Sequence, residues 1–131
     1  MYLRQIREKN ALQLPAGNYV ALLSHSGSRG LGAAIAQHYS FLARESCKLP
    51  REAQHFAWLD LRSEEGQAYW MSMNLAGDYA QACHERIHIN LAKALGLTPL
   101  SNVSNHHNFA WREEITPGQF AIVHRKGATP A

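Results

Sequence analysis

The chain alternates between short apolar runs and two longer stretches of helical period. Tyr19-Val20-Ala21-Leu22-Leu23 is unbroken, partly aromatic and partly β-branched, which predicts a buried strand over 19–25. Leu31, Ile35, His38 and Leu42 then recur at helical spacing and predict a helix over 30–46. Met73, Ala76, Ala80, Cys83, Ile87, Leu91 and Ala94 follow steps of three and four. They predict one long helix from Glu64 to Leu95 with that row as its inner face, stopped by Gly96. Residues 101–109 and Gln119–His124 read as strands around the turn Thr116-Pro117-Gly118. Residues 2–13 read as a short charged helix before the turn Leu14-Pro15-Ala16-Gly17-Asn18. The expected fold is α+β, a mixed β-sheet with two principal helices packed on it, in a single domain over 1–131.

Composition narrows this picture without naming a function. With 131 residues, 46% hydrophobic and 18% charged, the chain can bury one modest core. Its net charge of +3 suits a polyanionic partner without demanding one. Cys47 and Cys83 form no CxxC pair, which points to free thiols in a reducing compartment. No apolar segment approaches the ~20 residues of a membrane span, and the charged start MYLRQIREKN lacks a signal-type apolar core. The expected setting is cytoplasmic, away from membranes.

Three runs could carry chemistry. After the first strand comes Ser24-His25-Ser26-Gly27-Ser28-Arg29-Gly30-Leu31-Gly32. A glycine loop between strand and helix aims backbone N–H groups and the helix dipole at whatever lies above it. Arg29 offers a bidentate fork for phosphate, and His25 a metal ligand or base. The run matches neither GxxxxGK[ST] nor GxGxxG. The second is Asn105-His106-His107-Asn108-Phe109. Neighbours in a strand face opposite ways, so only one of the two histidines would enter a given site. The third is His124-Arg125-Lys126-Gly127, three potential cations at a strand end, suited to phosphate. Each alone also reads as a tight turn, a polar loop or a solvated basic end.

His84-Glu85-Arg86-Ile87-His88 is a literal HExxH on the predicted helix, so His84 and His88 share a face that could hold zinc, with Glu85 as base. Arg86 inside the motif, Leu91 where a glycine would continue it, and the lack of a third ligand argue against a zinc hydrolase. Cys83 and His84 form no nucleophilic dyad, because adjacent helical positions diverge by about 100°.

In series, HSGSRGLG at 25–32, HHNF at 106–109 and HRKGAT at 124–129 resemble the RtcB family over residues 19–131, with 1–18 as a lead-in. These ligases use manganese and GTP to join RNA 3′-phosphate or 2′,3′-cyclic phosphate ends, as in tRNA halves or damaged RNA, to 5′-hydroxyl ends. The resemblance implies a partial RtcB-like fold. It implies His25 and His107 as manganese ligands, Asn108 beside the guanylate, and Arg29 and Lys126 as RNA or phosphate contacts. In the family a histidine attacks GTP to form a covalent guanylate, which passes to the RNA 3′-phosphate before the 5′-hydroxyl displaces it. That histidine belongs to an SHGAGR-like run, and this chain has none. The family's Asp and Cys metal ligands also find no match in residues 1–18. The expectation is therefore an interior fragment of a divergent member, without a catalytic nucleophile, inactive alone and exposed to self-association. The alternative readings are a non-catalytic metal- or RNA-binding domain and, further off, the zinc hydrolase on His84-Glu85-His88.

Overall fold

A computed structural model of the chain describes residues 2–6, 12 and 14–127. Two compact units emerge, Leu22–Leu97 and the pair of segments Met1–Ala21 with Thr98–Ala131.

The unit formed by Leu22–Leu97 is helical. Helix α1 spans Leu31–Ser46 and helix α2 spans Glu64–Ala94, with a short 3₁₀ helix at Arg51–Phe56 between them. Ser63 caps α2 by accepting the Gly66 N–H at 3.0 Å, and Glu64 and Glu65 complement the dipole of its first turn. The helix ends in a Schellman pair: Leu97 N–H donates to the Ala92 carbonyl and Gly96 N–H to that of Lys93. Helices α1 and α2 meet through Tyr39 and Tyr69, whose ring centroids lie 5.1 Å apart. The buried positions are small: Ala43 on α1, and Ala76, Ala80 and Ala92 on α2. Along α2 the inner face therefore follows an i+4 row through Ala76, Ala80, His84, His88 and Ala92. The predicted row through Leu91 and Ala94 fails at this end, where both are exposed. A row of i+4 positions advances about 40° per step around a straight helix, so the contact line winds across α2 to where His84 and His88 meet Ser26 and Ser24.

In the other unit the described strands pair as two antiparallel ribbons. Strand β1 (Tyr2–Ile6) pairs with β2 (Gly17–Ala21), from Tyr2 opposite Ala21 to Ile6 opposite Gly17. Strand β3 (Asn108–Thr116) pairs with β4 (Gln119–Lys126), closing at Gly118 with φ 78°. The fold class is α+β, as expected, with two ribbons in place of one mixed sheet. The N-terminal helix expectation is overturned over 2–6, where a partner strand overrides local preference. Its remaining positions, 7–11 and 13, lie outside the described residues, as do Ala128 and Thr129 of the HRKGAT run. Strand β2 stops at Ala21, four residues before the predicted end, and its pairing with β1 runs from Gly17 to Ala21 among the described residues. Strand β3 begins at Asn108 and continues through charged residues, displacing the strand expected over 101–109. Among the described residues no helix is long and apolar enough to cross a membrane.

Candidate functional site

The glycine-rich run lies in the helical unit and is held from both sides. Residues 22–27 follow no regular element, yet exposure alternates: Ser24 and Ser26 are half-buried, and His25 and Gly27 are exposed. The half-buried residues meet α2. Ser24 Oγ lies 2.7 Å from His88 Nε2, and the Ser26 N–H donates to His84 Nε2 at 3.0 Å. His25 sits between these two anchors with its imidazole exposed. The Ser26 hydroxyl is buried and has no partner among the described residues.

Past this point the backbone turns sharply into α1. Arg29 (φ 54°) and Gly30 (φ 93°) are both left-handed, a conformation that costs a side-chain-bearing residue about 1–2 kcal/mol. Ser28 secures the turn: its carbonyl accepts the Leu31 N–H at 3.1 Å and its Oγ accepts that of Gly32 at 2.8 Å. A Cβ on Gly32 would stand 2.6 Å from that Oγ, so the cap requires glycine there. Two first-turn amides of α1 are thus satisfied by Ser28, which narrows the anion-binding capacity expected of the loop. Arg29 is exposed. The Tyr79 hydroxyl hydrogen-bonds with Cys83, which pushes its pKa above the ordinary phenol value, while the nearby Arg29 cation pulls the other way.

The HExxH residues serve this loop. Because a backbone N–H donates to His84 Nε2, the imidazole proton sits on Nδ1, and the lone pair a zinc ion would use there is occupied. Glu85 turns to an exposed bond with Gln81 at 3.1 Å. Among the described residues no three His, Cys, Asp or Glu side chains gather to hold a metal ion. The zinc hydrolase reading is corrected on these grounds: His84 and His88 have the right spacing and a different task.

In the β unit, strand pairing brings the other two runs together. Asn108 stands opposite Lys126, so their side chains share a face, and both are exposed. The Gly127 N–H donates to the His107 carbonyl at 2.7 Å and to Asn108 Oδ1 at 2.9 Å, tying the strand ends. His106 stacks on Phe109 with centroids 5.2 Å apart. Arg125 does not join Lys126 as an anion contact. It forms a two-pronged pair with Glu113, the second prong at 2.8 Å, and lies 5.1 Å above the Trp111 ring. That guanidinium holds the Glu113 carboxyl below its usual range. His107, Asn108 and Lys126 thus form one cluster in this unit, and His25 and Arg29 share the loop of the other.

A family model described as tRNA-splicing ligase RtcB matches residues 3–131. The tRNA-splicing ligase RtcB of Methanocaldococcus jannaschii is 34% identical over 87% of this chain and 13% of its own length. That of Methanococcus maripaludis is 32% identical over 86% of this chain and 26% of its own. The RNA-splicing ligase RtcB homolog 2 of Entamoeba dispar is 29% identical over 86% and 24%. The chain therefore spans 13% to 26% of the length of these relatives. No solved structure matches it.

Proposed function

The chain belongs to the RtcB family, and from that membership we propose that it forms part of an RNA ligase joining 3′-phosphate or 2′,3′-cyclic phosphate ends to 5′-hydroxyl ends. Its partners on this reading are RNA ends, from tRNA halves or damaged RNA, with GTP and manganese as cofactors, in the cytoplasm. The observation that carries the reading is the β3–β4 register, which makes neighbours of the HHNF and HRKGAT runs. Exposed apolar residues such as Phe41, Met71 and Leu75 support self-association of the chain by itself.

The donor chemistry fits manganese, which accepts imidazole nitrogen together with oxygen. His25 in the helical unit and His107 in the β unit are each proposed as a ligand. No three-ligand cluster forms among the described residues. When bound, the metal and GTP supply phosphate charge neutralisation and an activated nucleotide. The chain's own residues do the rest. Asn108, its Oδ1 fixed by Gly127, directs its NH₂ as a donor toward the nucleotide. Lys126, on the same face, and Arg29 on its rigid turn offer cations to phosphate oxygens.

Titration of Mn²⁺ into the chain, followed by electron paramagnetic resonance, tests this reading. His25→Ala and His107→Ala should each weaken binding by at least the roughly 10-fold that loss of even an outer-shell partner costs. Unchanged affinity in both variants overturns the ligand assignment. Mn²⁺ binding that depends on both histidines, without any GTP binding, would favour the non-catalytic metal-binding alternative.

A further inference from the structure

We infer that His84 and His88 are positioning residues that aim His25, a role that rests on the proposed part of His25 as a manganese ligand. The argument begins with the i+4 spacing. It places both imidazoles on the inner row of α2 between Ala80 and Ala92, where they are half-buried and face the loop. Each reaches a different anchor, His88 the side chain of Ser24 and His84 the backbone of Ser26. Both anchors are long-range, 64 and 58 residues apart in sequence, so no local turn chemistry substitutes for them.

The consequence follows from chain geometry. Exposure alternates along residues 23–27, and the two anchors hold the residues on either side of position 25. With Ser24 and Ser26 held against α2, His25 lies exposed between the two anchors. The requirement at position 84 is specific: an acceptor at the Nε2 position, since the partner is an N–H. Glutamine reaches that position with its Oε1, whereas phenylalanine fills the same volume and accepts nothing. Position 88 needs a polar partner for a hydroxyl, and Ser24→Ala removes that contact from the loop side without altering the helix.

The test uses the 131-residue chain and Mn²⁺ alone, with two readouts: hydrogen exchange at the Ser26 amide and Mn²⁺ affinity. His84→Phe should raise exchange at Ser26 and weaken Mn²⁺ binding by roughly 5-fold, the equivalent of one net hydrogen bond. His84→Gln should restore both towards the parent. Ser24→Ala and His88→Phe should each weaken Mn²⁺ binding by a similar factor. Unchanged exchange and affinity in His84→Phe, while His25→Ala still abolishes tight binding, would overturn the positioning role and leave the ligand reading standing. Faster Ser26 exchange in His84→Phe, with His25→Ala leaving affinity untouched, would refute the ligand reading instead. Failure of His84→Gln to restore either readout, with its fold intact, also overturns the proposal, because a single acceptor would then not be what the loop requires.

Discussion

The loop at 24–32 and the hairpin base around Asn108 and Gly127 both carry family motifs, yet they are stiffened by different means. The hairpin is a backbone structure. Its register is set by a ladder of main-chain pairs, and one glycine amide locks the two ends together. Among the described residues the loop has no ladder beyond Ala21. It depends on a left-handed turn, a serine cap and two imidazoles from a distant helix. Side-chain identity therefore matters more in the loop, where few contacts each hold a large share of the geometry. In the hairpin many equivalent bonds share the task, and single side chains should be replaceable at small cost.

The largest effect should fall on the loop's backbone. Gly30→Val forces a β-branched residue into φ 93°, which should destabilise the helical unit by about 2 kcal/mol. Urea unfolding of the variant against the parent measures it. A loss below about 0.5 kcal/mol, the usual range of a neutral surface change, would mean that the loop does not rely on this turn and would erase the contrast.

A middle-sized effect tests the hairpin's redundancy. Asn108→Ala removes one of the two acceptors of the Gly127 N–H and leaves the His107 carbonyl in place. The expected cost is about 0.5 kcal/mol, the lower end for a net hydrogen bond. Circular dichroism during thermal unfolding would register it. A loss as large as that of Gly30→Val would show that the strand ends hang on one side chain, and that the two regions are alike.

The same division explains what was legible in the sequence. Both helices were, because α1 and α2 carry their own periodicity, and the Gly96 stop is local chemistry. Strand limits were not, since the extent of β2 follows its pairing with β1 and β3 runs on through Arg112, Glu113 and Glu114. Cross-strand partners account for that run: Arg125 with Glu113, and Arg112 at 5.0 Å over the Phe120 ring. The motif residues His25, Arg29, His107, Asn108 and Lys126 could be picked out by pattern, but not what holds them. HExxH announced correctly that His84 and His88 share a face. Only the fold shows that this face meets Ser24 and Ser26, because contacts across 58 and 64 residues leave no periodic trace.

The smallest effect sharpens the comparison through pH. Arg125 hydrogen-bonds Glu113 and lowers its carboxyl pKa in the folded hairpin from the ordinary 4.5. A depressed folded pKa means that the pair contributes stability above the unfolded value, and that the contribution fades as pH falls through the folded one. Both side chains are about one-third exposed, at 35% and 37%, so solvent screens the pair and its share of stability is small. Glu113→Gln should therefore lower the hairpin's thermal midpoint slightly at pH 7, and the parent and variant should converge as pH drops below the carboxylate range. Raising salt at pH 7 should narrow the same gap. A gap that persists at pH 2 would assign the effect to packing against Trp111 rather than to charge. The hairpin would then owe more to individual side chains, and the contrast with the loop would narrow accordingly.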